Sequence, residues 1–206
     1  MPRPAVGLAY NFIGHTRYLE KTRTKMEQLL GQGAIVRRDI EQVYEGLYIE
    51  AFTSFEQFIE DLFVGILVGR LQAPSQSIVP RISCGCDRVA REVVFGGENY
   101  VDWLPYERRT EKRAEAFFRN GLPFKSLQSA DKQQLEEFGY IRNAIAHKSA
   151  YSQQQFEKKV IGALPLAPRD RTPAGYLRSI FRMAPAQTRY ENIISQMGSI
   201  AVKLCA

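Results

Sequence analysis

The chain has little of what most compact catalytic sites are built from. It holds three cysteines, Cys84, Cys86 and Cys205, and two histidines, His15 and His147. An odd, irregularly spaced set of thiols argues against a disulfide framework and fits a reduced compartment. Cys84-Gly85-Cys86 has no nearby histidine or second thiol pair to complete a zinc site, so these thiols read as structural or incidental. No run of about 18 or more apolar residues is long enough to span a membrane. Met1 to Tyr10 lacks the hydrophobic core and small-residue cleavage site of a secretory signal. A cytoplasmic protein with no membrane partner is expected. Also missing are Gly-x-x-x-x-Gly-Lys-Ser/Thr, a Gly-x-Gly-x-x-Gly after a strand, and His-Glu-x-x-His. Neither a cofactor nor a metal is expected, because a metal-dependent nuclease needs converging carboxylates and the one polar motif lies in a basic region.

Basic residues, by contrast, are in excess. The net charge is +6, with 28 Lys and Arg against 22 Asp and Glu. The first hundred residues are about neutral, so the surplus lies in the second half. That asymmetry points to an anionic partner, nucleic acid ahead of a membrane surface, since no basic amphipathic anchor with exposed apolar residues stands out. A basic surface that only aids solubility is the plainer alternative. At 206 residues a single domain over the whole chain is expected, with a substantial core.

Helical periodicity dominates, and no alternating strand pattern or internal repeat competes with it. Residues 1–11 read as a loose leader, because Pro2 and Pro4 oppose helix, and a helix follows from about Gly14 to Leu30. His15 near its start reads as a surface or capping residue. After the break at Gly31-Gln32-Gly33, a long helix is predicted from about Arg37 to Leu71, on the order of 50 Å at about 1.5 Å per residue. Its broad stripe, from Ile40 and Tyr44 through Phe55 and Phe58 to Ile66, suits the central spine of a bundle. Residues 72–97 form a long crossover punctuated by Pro74, Pro80 and Gly85, with a short helix from about Asp87 to Val94. Helical character resumes over Asn99 to Asn120, where Glu107, Glu111 and Glu115 are placed to pair with the basic run Arg108 to Arg113. Further helices are predicted from Lys132 to His147, with Ser129 or Asp131 as N-cap, then over Ser152 to Ile161, Ala174 to Arg182 and Thr188 to Leu204. The class is all-α, a helical bundle with a long central helix and additional shorter ones.

One stretch gathers polar chemistry on this scaffold: Ile141-Arg142-Asn143-Ala144-Ile145-Ala146-His147. Asn143 and His147 share a helix face, while Leu135, Phe138, Ile141 and Ile145 form a separate core stripe. Gly139 and Ala146 fill the arc between Arg142 and His147, predicting a shallow notch that a cation and an imidazole flank. Such a notch suits a phosphate. The stretch ends its helix, where the negative end of the macrodipole favours cations and no N-terminal amides are available. Two uses of these residues stand side by side at this point. In one, His147 is a general acid-base and Arg142 stabilises charge; in the other, Arg142 pairs with Glu136 or Glu137 and His147 caps the helix. Cleaving RNA through its own 2′-hydroxyl benefits from two proton-transfer groups, and one chain offers one, so the catalytic reading calls for a homodimer. Glu56 is a candidate to orient Arg142 or His147 from a neighbouring helix, the alternative being a solvated glutamate on a polar edge.

Arg142-Asn143-Ala144-Ile145-Ala146-His147 resembles the Arg-x(4 to 6)-His signature of HEPN domains, including the polar residue after the arginine. Pro123-Phe124, Phe138 to His147, Ser149 and Phe156 resemble the RiboL-PSP-HEPN subgroup. The resemblance implies a dimeric helical bundle acting as a metal-independent endoribonuclease at a composite site. Arg142, Asn143 and His147 would be catalytic; Lys148, Lys125 and Arg119, bases of the positively charged second half, are the candidate RNA contacts. It further implies a toxin or defence role with an antitoxin or defence-system partner. The alternative it leaves is a non-catalytic dimerisation module binding RNA, nucleotide or a protein.

Overall fold

The computed structural model describes residues 2–73 and 78–206; Pro74 lies outside them. Among the described residues the chain forms eight α-helices and two short strand pairs, an all-α protein. Its contacts fall into two compact units.

The first unit comprises Met1–Ile13, Ser54–Glu136 and Gly198–Ala206. Its N-terminal segment is not a loose leader. Strand β1 (Arg3–Pro4) pairs in parallel with β2 (Leu71–Gln72), with Arg3 N donating to Arg70 O and Ala5 N to Gln72 O, each at 2.8 Å. Helix α1 (Val6–Gly31) therefore begins well before Gly14. Pro2 and Pro4 precede the helix and do not interrupt it, while Ala5, Ala9 and Phe12 at one-turn steps are buried. Helix α2 (Arg37–Leu67) is 31 residues long. It stops short of Leu71 because Gly69 takes φ 71°, letting Arg70 N reach Gly65 O and Gly69 N reach Ile66 O. This paired closure leaves few carbonyls orphaned.

Phe63 of α2 centres the unit's aromatic core. Its ring lies 4.8 Å from Phe118, 5.1 Å from Phe124 and 5.2 Å from Trp103, centroid to centroid. The crossover supplies α3 (Asp87–Phe95), where the sequence predicts a helix. Helix is predicted from Asn99, but the chain becomes helical only at Glu107, in a π-turn to Glu111 continued by α4 (Lys112–Phe117). Residues 100–106 instead place Trp103 and Tyr106 in the core, Tyr106 Oη donating to Phe124 O at 2.9 Å. The predicted internal pairing of the basic run gives way as well. Glu111 binds Lys132 at 2.6 Å and Glu115 binds Lys125 at 2.5 Å, while Arg113 lies over the Trp103 ring at 4.8 Å.

Helix α5 (Ser129–His147) starts in this unit. Asp131 is not its N-cap: it lies inside the first turn, reaches back to Gln128 N and, buried, takes Lys203 Nζ at 2.6 Å.

The second unit comprises Gly14–Thr53 and Glu137–Met197. Here Tyr48 of α2, fully buried, donates to Phe138 O of α5 at 2.8 Å, fixing where the end of α5 lies. Helix α6 (Ala150–Phe156) runs into a second π-turn, Glu157–Ile161. Helix α7 (Pro173–Arg178) ends before Arg182. Beyond it, β3 (Ile180–Met183) pairs antiparallel with β4 (Ala186–Thr188), a hairpin whose first strand replaces the end of the helix predicted to Arg182. All four β3 residues are exposed, so no in-and-out alternation marked the strand. Helix α8 (Arg189–Cys205) buries Tyr190, Ile193, Ile194 and Met197 in this unit, as its spacing predicts.

Arg178 grips Glu27 with two hydrogen bonds of 2.8 and 3.0 Å, and Tyr44 Oη donates to the same carboxylate at 2.9 Å. Desolvation pushes the Glu27 carboxyl up, but these donors outweigh it and hold the group below the usual carboxylate range.

Candidate functional site

The end of α5 in the second unit carries Arg142, Asn143 and His147 as one cluster. Phe138, Ile141 and Ile145 are buried and anchor the helix, and Ala144 is buried with them. The polar side chains are left outward, with Asn143 and His147 exposed and Arg142 half-buried. Arg142 Nη1 donates to Asn143 Oδ1 at 3.1 Å and lies 3.3 Å from His147 Nε2. Guanidinium has only N–H donors, so a hydrogen bond between the two requires Nε2 to be the accepting nitrogen of the ring. The arginine's carbon stands 6.0 Å over the Phe52 ring, which supports the guanidinium from below.

This geometry modifies the notch. A Cβ at Gly139 would meet nothing within 4 Å, so that floor is open. The rest of the arc is spanned by Arg142 as it reaches towards His147. An incoming anion would meet the outer edge of a joined pair and not a gap between two separate groups. Glu137 is half-buried, its carboxyl raised by desolvation; Arg142 turns to Asn143 and His147 instead.

The turn after the cluster is held tightly. Lys148, 70% exposed at its side chain, adopts φ 48°, in the left-handed region that a side chain resists. Its ammonium is 3.8 Å from Glu45. Ser149 then caps α6 by accepting from Ser152 N at 3.1 Å, and Gln153 Nε2 donates back to Ala144 O at 2.8 Å. Phe52 and Gln153 are supporting residues that pattern reading missed. Phe52 looked like one more core position on α2, whereas Ser149 followed by Ser152 was a readable cap signal.

The remaining sequence-predicted residues belong to the first unit. Glu56 is half-buried on α2, Arg119 is exposed with its backbone N bonded to Val79 O, and Lys125 is held by Glu115. His15, in the second unit, faces Glu50 at 3.2 Å.

Another basic feature of the second unit is a groove of about 560 Å³ with Arg23, Arg37, Arg169 and Arg178 on its walls. Its guanidiniums face carboxylates of the protein itself: Glu191 and Glu20, Glu41, Asp170 and Glu27. Charge there is largely neutralised, which leaves the α5 cluster as the better site for an external anion.

Among the described residues there is no group of three or more His, Cys, Asp or Glu side chains that could hold a metal ion, and no helix is long and apolar enough to cross a membrane. Cys86 is exposed, and Cys84 and Cys205 are buried, the Cys205 thiol pushed up to about 12 by desolvation despite a backbone hydrogen bond. Comparison with family models, curated proteins and solved structures gives no match for the chain.

Proposed function

We propose that the protein is a metal-independent endoribonuclease of HEPN type, acting as a homodimer in which two copies of the Arg142–His147 cluster share one RNA strand. The observation that carries this reading is the 3.3 Å contact of Arg142 Nη1 with His147 Nε2 at an exposed helix end. It puts a cation for the phosphate and an imidazole nitrogen for the 2′-hydroxyl proton within one reach.

In the resting cluster the lone pair of Nε2 is occupied by Arg142. A bound phosphate competes for the guanidinium through stronger, charge-assisted hydrogen bonds. That frees Nε2 to take the 2′-hydroxyl proton as the 2′-oxygen forms its bond to phosphorus. The bond from phosphorus to the 5′-oxygen breaks, and His147 of the second copy gives the leaving oxygen its proton. That second His147 enters the step as imidazolium, with its own Arg142 drawn onto the phosphate, and ends neutral, while the first His147 ends protonated. The products are a 2′,3′-cyclic phosphate and a 5′-hydroxyl. Arg142 stabilises the charge that grows on the phosphorane, and Asn143 fixes the guanidinium. A cytoplasmic toxin or defence effector, kept in check by a partner protein, is the setting this chemistry suits.

Incubation of the purified protein with total RNA tests the reading. His147→Ala is expected to lower cleavage by on the order of a hundredfold or more, with folding retained, and EDTA is expected to leave wild-type cleavage unchanged. Cleavage that survives in His147→Ala removes the assignment.

A further inference from the structure

Helix α1 turns towards solvent a face that combines positive charge with an aromatic ring. At about 100° per residue, Gly14, Arg17, Tyr18, Lys21, Lys25 and Gln28 share one strip of the helix, and all of them are exposed. Arg17, Lys21 and Lys25 follow one another at four-residue steps, about 6 Å apart along the axis at a rise of about 1.5 Å. Among the described residues none of the three has an ion pair. The acids of the same helix are engaged elsewhere, Glu20 by Arg23 at 3.2 Å and Glu27 by Arg178 at 2.8 Å. The strip's field is therefore uncompensated. Tyr18, at 66% exposure, stands among the cations with its ring in water.

We infer that this strip is a docking track for single-stranded RNA: Arg17, Lys21 and Lys25 hold the phosphate backbone and Tyr18 stacks on a base. The track rests on RNA being the substrate of the α5 cluster, and it adds a second contact that holds the strand without taking part in cleavage. Unpaired cations in a row supply sequence-independent affinity, and an exposed ring among them adds stacking that only an unpaired base can use. A membrane surface fits less well. A helix lying in lipid needs an apolar face to bury, and this strip from Gly14 to Gln28 offers a single ring and no exposed aliphatic side chain.

The test uses the full-length protein and a single-stranded RNA oligonucleotide with every 2′-hydroxyl methylated. Such a probe has no internal nucleophile, so binding is read apart from turnover. The triple variant R17Q/K21Q/K25Q is expected to bind more weakly and to lower the slope of log affinity against log salt by about 2, at about 0.7 per phosphate for a single strand. Tyr18→Ala is expected to weaken binding roughly tenfold with the salt slope unchanged. Both should keep the wild-type melting temperature, because the altered side chains are solvent-exposed. A triple variant with wild-type slope and affinity overturns the proposal, as does a wild-type protein that does not bind the probe. Attachment to vesicles of anionic phospholipid that depends on these residues, without salt-dependent RNA binding, overturns it too. Failure of the ribonuclease reading looks different: wild-type protein that leaves total RNA intact in EDTA yet binds the probe through α1 loses its assigned chemistry and keeps the track.

Discussion

At the scale of single residues, the proposed site is a contact between two side chains five positions apart on one helix end, and the residue that follows them is strained. Lys148 holds φ 48°, where an L side chain is disfavoured by about 1 to 2 kcal/mol. Lys148→Gly is therefore expected to raise stability by on the order of 1 kcal/mol in denaturant melts, while weakening RNA binding through the lost cation. A destabilised Lys148→Gly would show that the lysine's contact with Glu45 outweighs the strain. Arg142, Asn143 and His147 were legible in the sequence because helical geometry sets which side chains share a face. The reach of Arg142 to His147 was not, since the rotamer of a long side chain depends on what supports it. Phe52, on a different helix, is that support.

At the scale of elements, helix existence was read well from apolar spacing, and the errors fall where tertiary contacts replaced local preference. Two glycines inside helices show why sequence alone cannot rank such positions. Gly139 in α5 has open space where a Cβ would stand, whereas a Cβ on Gly175 in α7 would lie 2.8 Å from Asp170 Cα and closer still to Arg169 O. Gly139→Ala is expected to stabilise by about 1 kcal/mol through helix propensity, and Gly175→Ala to destabilise by about 1 to 3 kcal/mol because backbone must move. Thermal melts of the two variants check the opposite signs. A shift of the same sign in both would mean that the Asp170 segment yields freely. The β3–β4 hairpin shows a related limit: its exposed first strand carries no burial pattern, and the helical spacing from Ala174 ran on into it as far as Arg182.

For the molecule as a whole, the proposal turns on two copies. If both histidines serve one scission, mixing wild-type chains with His147→Ala chains and letting them exchange should make cleavage fall with the square of the wild-type fraction. A linear fall would assign each site to a single chain. Charge shows where a whole-chain view of sequence runs out. The first hundred residues sum to about neutral, yet α1 bears an unpaired basic strip, because its own acids, Glu20 and Glu27, are bound to Arg23 and Arg178 and the other acids in that sum lie on later elements. The sequence by itself determined the all-α class, the long helix α2 and the residues of the α5 motif, since periodicity and helical spacing are local properties of the chain. Only the tertiary structure decided where the N-terminal segment is clamped, which charges are left unpaired and how Arg142 meets His147. Those depend on partners distant in sequence, whose positions no local pattern encodes.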